Sequence, residues 1–264
     1  MKLRVILFSF LSDFINTQHC ASYSNLKEGS LGSTGAFPWL GILRLHIHDG
    51  KKMKTHLSGL ILIRMNYAIG NAQDLSKVPT HLLSADGLAM FMVSKHKVWS
   101  ARIRSCKLHP EYQYATDSTI ALLALEIPED ITVQTPTPVC LLKQFFRENR
   151  VNQLYTVRYT DEHVHLQKVL LRMKYVPIEI CQEFYKRSTF SSKNSWPYHP
   201  QCAHAVDMKQ ACLWDNAMAL VTNRTGPFVL VAIGVHGPGC AVPSRYIEIY
   251  PYISWIQSEI YNNN

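Results

Sequence analysis

Residues able to bind a metal or carry redox chemistry are few and widely spaced. His46-x-His48 and His163-x-His165 would each put two imidazoles on one face of a strand. That is half a zinc site, and neither pair has an evident third ligand. None of the seven cysteines falls in a CxxC arrangement, which argues against a thiolate metal centre. No metal or other cofactor is therefore expected. Seven cysteines in one chain instead fit an oxidising compartment, with pairs joined as disulfides and one thiol left over. Asn223-Arg224-Thr225 is a glycosylation sequon, usable by a secreted protein if its loop is exposed.

These side chains must be held by short elements with turns between them. Leu43 to His48 alternates apolar and polar residues, Asp49-Gly50 supplies a tight turn, and Met53 to Gly59 can return antiparallel. Leu60 to Ile63, Ile120 to Leu125, Val169 to Met173 and Val229 to Val235 are further strands. Ile253, Ile256 and Ile260 recur at helical spacing, so Pro251 to Tyr261 reads as one amphipathic terminal helix. A charged fraction of 17% and a hydrophobic fraction of 47% suit a chain with a sizeable core. Met1 to Leu11 pairs a basic start with a short apolar run, as a secretory signal peptide does. No other stretch approaches the roughly 18 apolar residues of a membrane span. The net charge of +8 favours acidic partners, and polyanion contact through Lys51-Lys52-Lys54 or Arg147 and Arg150 is a minor reading beside a solvated surface. No nucleic-acid motif is present.

Several segments, in order, resemble the trypsin-like serine proteases. Gly35-Ala36-Phe37-Pro38-Trp39 is similar to the family's GxFPW. Asn66 to Asp74 is similar to RYVLTAAHC, and His109-Pro110-Glu111-Tyr112 through Thr119-Ile120-Ala121-Leu122-Leu123 to HPxY…DIALL. Pro138-Val139-Cys140-Leu141 resembles PVCL and Leu166-Gln167-Lys168-Val169 resembles LQKV. Cys212 to Leu220 stands where CxGDSGGPL belongs. Gly237-Pro238-Gly239-Cys240 through Tyr250-Pro251-Tyr252-Ile253-Ser254-Trp255-Ile256 is close to the family's ending. The resemblance covers nearly everything from Gly35 onward and is strongest to invertebrate members. It implies an all-β fold of two six-stranded antiparallel β-barrels with a C-terminal helix. It also implies three segments: a signal peptide over 1–19, a linker or propeptide-like stretch over 20–34, and the protease-like domain over 35–264.

In that family a serine attacks the peptide carbonyl, a histidine takes its proton and an aspartate orients the histidine. Matched residue by residue, the histidine position holds Gln73, the aspartate position Thr119 and the serine position Asn216. An amide has no basic nitrogen near neutral pH, a threonine carries no charge to steady an imidazolium, and an asparagine amide is not a nucleophile. Supporting positions differ too. Trp214 stands at an oxyanion-hole glycine, and Gln210 lies at the base of the specificity pocket. Val235-His236-Gly237 replaces the strand that pairs with substrate. No Arg/Lys-Ile-Val-Gly-Gly activation sequence occurs near Ser30 to Gly35. Asp117, His109, His163 and His165 offer no replacement nucleophile.

The resemblance pairs Cys181 with Cys202, Cys212 with Cys240, and Cys20 with Cys140. Ser58 and Asp74 occupy the positions of the family's first-barrel bridge, and Cys106 is left unpaired, as a buried inert thiol or, in the alternative, as half of an intermolecular disulfide. The expected function is a secreted, non-cleaving homologue that binds a protease, zymogen, substrate or inhibitor in an extracellular cascade. The alternatives are a carbohydrate- or surface-binding module and a residual serine-type endopeptidase.

Overall fold

A computed structural model of the chain describes residues 31–32, 36–49, 52–94, 97–113, 117–127, 134–141, 153–162, 165–187, 196–206, 218–223, 227–235, 237 and 242–262. Two short strand residues come first, β1 (Leu31–Gly32). The first barrel is then built from β2 (Leu40–Asp49), β3 (Lys52–Arg64), β4 (Tyr67–Asn71), β5 (Leu88–Ser94), β6 (Lys97–Leu108) and β7 (Ile120–Glu126). These close in the order β2-β3-β4-β7-β6-β5. The helices α1 (Ala72–Leu75) and α2 (Thr80–Asp86) fill the connection from β4 to β5.

The second barrel follows β8 (Cys140–Leu141). Its strands are β9 (Leu154–Glu162), β10 (His165–Tyr175), β11 (Pro200–Ala205), β12 (Ala219–Thr222), β13 (Val229–Gly234) and β14 (Ser244–Glu248). They close as β9-β10-β11-β14-β13-β12, with β12 returning to β9. The helix α3 (Ile178–Arg187) joins β10 to β11, and α4 (Ile253–Asn262) ends the described chain. Two six-stranded antiparallel barrels and a C-terminal helix are the trypsin-like arrangement.

Local chemistry accounts for most of this. The alternation in β2 buries Leu43 and Leu45 in the barrel while Arg44 and His46 face outward, as period two requires. β3 runs on from the predicted return strand through Leu60 to Ile63, so the two stretches are one strand of 13 residues. The barrels bend at register shifts between Leu62 and Arg64, Met92 and Ser94, Ile103 and Ser105, and Leu220 and Val221. Gly41 lets β2 and β5 meet closely: a Cβ there would lie 2.4 Å from the Phe91 ring and 2.8 Å from the Met90 carbonyl.

Two expectations need revision. α1, α2 and α3 break the reading of strands up to a single terminal helix. That last helix is also shorter than predicted, because Tyr250–Tyr252 forms a separate 3-10 turn around Pro251. Of the stretch read as linker, Leu31 and Gly32 pair antiparallel with Val169 and Lys168 of β10.

The barrels are tied together at several points. Val139 N–H donates to the Leu62 carbonyl at 3.0 Å, while the next residues, in β8, pair in parallel with Val229 and Leu230 of β13. Lys168 and Tyr159, on neighbouring strands of the second barrel, reach back to the opening of the first. Lys168 Nζ donates to the Phe37 carbonyl at 2.8 Å, and Tyr159 Oη donates to the Leu40 carbonyl at 2.8 Å. Phe37 takes a left-handed φ of 52°, which turns its carbonyl toward the lysine. From the far end, Trp255 of α4 packs edge-on against His109, with ring centroids 4.8 Å apart.

Candidate functional site

The candidate site lies where β4 gives way to α1. β4 is buried along its whole length and ends at Asn71, an extended residue whose carboxamide caps α1. Asn71 Oδ1 accepts the Gln73 N–H at 2.9 Å, the ordinary duty of a helix N-cap. The same oxygen accepts the Thr119 hydroxyl at 2.6 Å. Thr119 Oγ1 in turn accepts the Gln73 N–H at 3.0 Å, and its carbonyl accepts the Ala72 N–H at 3.2 Å. Asn71 Nδ2 reaches the Gly234 carbonyl in the other barrel at 3.5 Å. Asn71 and Thr119 are fully buried, and none of the described groups joined by these bonds is ionisable.

Gln73 therefore enters the network through its backbone. Its side-chain oxygen is buried with no donor among the described residues. Next to it, Asp74 Oδ2 accepts the Ser58 hydroxyl at 3.3 Å, and Lys77 stands 3.7 Å from the same carboxylate. The two positions that would hold the first-barrel bridge thus face each other and are joined by a hydrogen bond.

His109 is occupied elsewhere. Its ring sits edge-on to Tyr252 at 4.9 Å as well as to Trp255, and its Nδ1 accepts the Glu111 N–H at 3.2 Å. That bond requires an unprotonated Nδ1. Burial holds the imidazole below the usual histidine range, with Glu111 pulling it weakly back. Asp117 is raised by burial. No hydrogen bond joins His109 to Asp117, or either to Gln73, among the described residues. Between Asp117 and Thr119, Ser118 adopts a left-handed φ of 42° and accepts the Tyr252 hydroxyl at 3.2 Å.

Lys168 is a strongly perturbed cation. It is fully buried above the Tyr159 ring, 5.7 Å from its centroid, and desolvation lowers it to about 7. Neither Asn71 nor Lys168 stood out in the sequence as a functional residue. Asn71 carried a readable signal, since an asparagine between a strand and a short helix is an N-cap.

Other positions are as follows. Val235 is buried and its N–H donates to the Arg245 carbonyl at 3.0 Å; Gly237 is half-buried. Cys181 and Cys202 form a disulfide between α3 and β11, and Arg245 stacks over the nearby Tyr185 and Trp196 rings at 4.2 and 5.8 Å. Cys140 is disulfide-bonded to a residue outside the described ones. Cys106 is free, and burial pushes its thiol up to about 12, which keeps it protonated and unreactive. Asn223 follows β12 directly and is partly buried. His46 Nδ1 lies 3.2 Å from the Thr55 hydroxyl. Gln210, Trp214, Asn216, His236, His163, Cys20, Cys212 and Cys240 lie outside the described residues, as do the side chains of His48 and His165. Among the described residues, no group of three or more His, Cys, Asp or Glu side chains could hold a metal ion. No described helix is long and apolar enough to cross a membrane.

No protein-family model matches the chain. It is similar to the CLIP domain-containing serine protease B4 of Anopheles gambiae, at 24% identity over 99 residues. The match covers 36% of this chain and 26% of that relative, so the chain spans about a quarter of the length of the curated protein it matches. The relationship to serine proteases is a distant one.

Proposed function

We propose that this chain is a secreted, non-cleaving relative of serine proteases that acts by binding, as a regulator, cofactor or decoy in an extracellular proteolytic cascade. The observation that carries the reading is the closed Asn71–Thr119–Gln73 network. At the two described positions matched to the catalytic histidine and aspartate stand Gln73, which joins through its backbone N–H while its buried side-chain oxygen has no donor among the described residues, and Thr119, whose hydroxyl donates to Asn71 Oδ1 and accepts the Gln73 N–H. Neither can take a proton from a nucleophile or steady the resulting cation. Asn216 and Trp214, at the positions matched to the nucleophile and an oxyanion-hole glycine, add to the case. Under this reading residues 1–19 are removed as a signal peptide, 20–34 tether the domain through Cys20 and Cys140, and Asn223 carries a glycan. The bond between Ser58 and Asp74 fits an old family bridge lost on both sides together.

The purified chain should take no label from a serine-directed phosphonate. Restoring the triad residues together in Gln73→His, Thr119→Asp and Asn216→Ser should leave peptide turnover at the no-enzyme rate, because Trp214 and the missing activation terminus remain. Covalent labelling of the wild-type chain would refute the proposal that it does not cleave. Measurable turnover by the triple variant alone would show instead that the supporting geometry is intact and only the triad was lost.

A further inference from the structure

The outward face of the first barrel carries an ordered mixture of apolar and basic side chains. The register makes it one surface. Leu57, Arg44, Leu88 and Arg102 are direct neighbours across β3, β2, β5 and β6, so they form a single row perpendicular to the strands. The adjoining row brings Ile42 beside Met90, and Met92 faces Val98 one step further on. Leu43, Ala89, Phe91, Trp99 and Ala101 between them point into the core. All six of these outer apolar residues keep some exposure, and Leu57 and Val98 are 42% and 39% exposed.

Outward strand positions facing only water are usually polar, so a row that alternates leucine and arginine needs an occupant. The two arginines point to its chemistry. Neither Arg44 nor Arg102 makes a hydrogen bond or ion pair with a described residue, although Glu126 lies opposite Arg102 on β7. The backbones of the two arginines, separated by one strand, lie about 10 Å apart, with Leu88 between them. Arginine and methionine are the side chains that protein interfaces gather at their centres, and a guanidinium pairs best with a carboxylate through two parallel bonds.

We infer that this face docks an acidic, apolar polypeptide segment of a partner protein. Its carboxylates would pair with Arg44 and Arg102 and its apolar side chains would lie on Leu57, Leu88, Met90 and Ile42. The inference does not depend on whether the chain cleaves, because none of these residues belongs to the network described above.

The test is fluorescence anisotropy with the intact chain and a labelled peptide of alternating acidic and leucine or phenylalanine residues. A peptide with lysine at each acidic position and a heparin fragment serve as comparisons. Saturable binding of the acidic peptide is expected. It should weaken at least tenfold in Arg44→Glu/Arg102→Glu, weaken similarly in Leu88→Ser/Met90→Ser, and fall as salt is raised. Arg44→Ser/Arg102→Ser provides a milder charge variant, and unchanged thermal melts show that each variant is folded. Absence of saturable binding would overturn the inference. So would heparin binding that displaces the peptide while Leu88→Ser/Met90→Ser has no effect, since that describes a polyanion site. Self-association in sedimentation that the arginine variants abolish, without peptide binding, would overturn it in favour of a second copy.

Discussion

Lys168→Met should be more stable than the wild-type chain at pH 7 and less stable at pH 10.5. A buried lysine near pH 7 imposes a cost on the folded state, because the unfolded chain holds the proton more tightly. Its ordinary value is 10.5 and its folded value about 7, a difference of 10.5 − 7 = 3.5. Between these limits the unfolded state binds more protons, so the wild-type fold gains stability as pH rises and loses it as pH falls toward 7. At about 1.4 kcal/mol per unit, the swing has an upper bound of about 5 kcal/mol. Methionine has no such dependence, but it leaves the Phe37 carbonyl without its donor at every pH, at about 1–3 kcal/mol. The two effects oppose each other and only one titrates, so the difference between the unfolding curves should change sign across this range. Tyr159, raised by burial, is common to both proteins and cancels. Parallel pH profiles for variant and wild type would mean that Lys168 is solvated in the folded state.

The second large effect is expected at Asn71. Replacing it with leucine keeps much of the volume but removes the acceptor for the Thr119 hydroxyl and the Gln73 N–H, together with the donor to Gly234. Several buried polar groups then lose a partner at once, for a loss of about 2–4 kcal/mol. Thr119→Val should cost only about 1 kcal/mol, since Asn71 Oδ1 keeps the Gln73 N–H. Urea unfolding measures both, and a shifted midpoint at constant slope is the signature of a changed stability. Equal losses in the two variants would show that Asn71 is not the hub.

Much of the barrel architecture was legible because inward and outward positions alternate so cleanly. Leu43, Leu45 and the Asp49-Gly50 turn announce the first hairpin, and Ile120 to Leu125 announces β7. What the sequence hid has physical causes. α2 buries only Leu83, too little for a periodic signal, and α3 is carried by Cys181 and Tyr185 on one short face. Register shifts such as that between Ile103 and Ser105 reverse the alternation halfway along a strand, so β6 does not read as one element. At the site, the resemblance of the surrounding segments to family motifs, and not their residue types, singled out Gln73 and Thr119. That a neighbouring asparagine binds both is a fact of three-dimensional closure across β4 and β7, which no spacing encodes.

The way the last helix meets the first barrel has a consequence during synthesis. Strands β2 to β7 are consecutive, so their ring can close on contacts local to the first half of the chain. Its outer wall near His109 is completed by Tyr252 and Trp255, and Lys107 finds Glu259 in the last helix. The ribosome must add the residues from position 127 to position 259, 133 in all, before those contacts exist. At about 5–20 residues per second that is roughly 7–27 s. Through that interval His109 of the nascent barrel lacks the two rings that later cover it, so this wall of the first barrel is finished long after its own strands have been made.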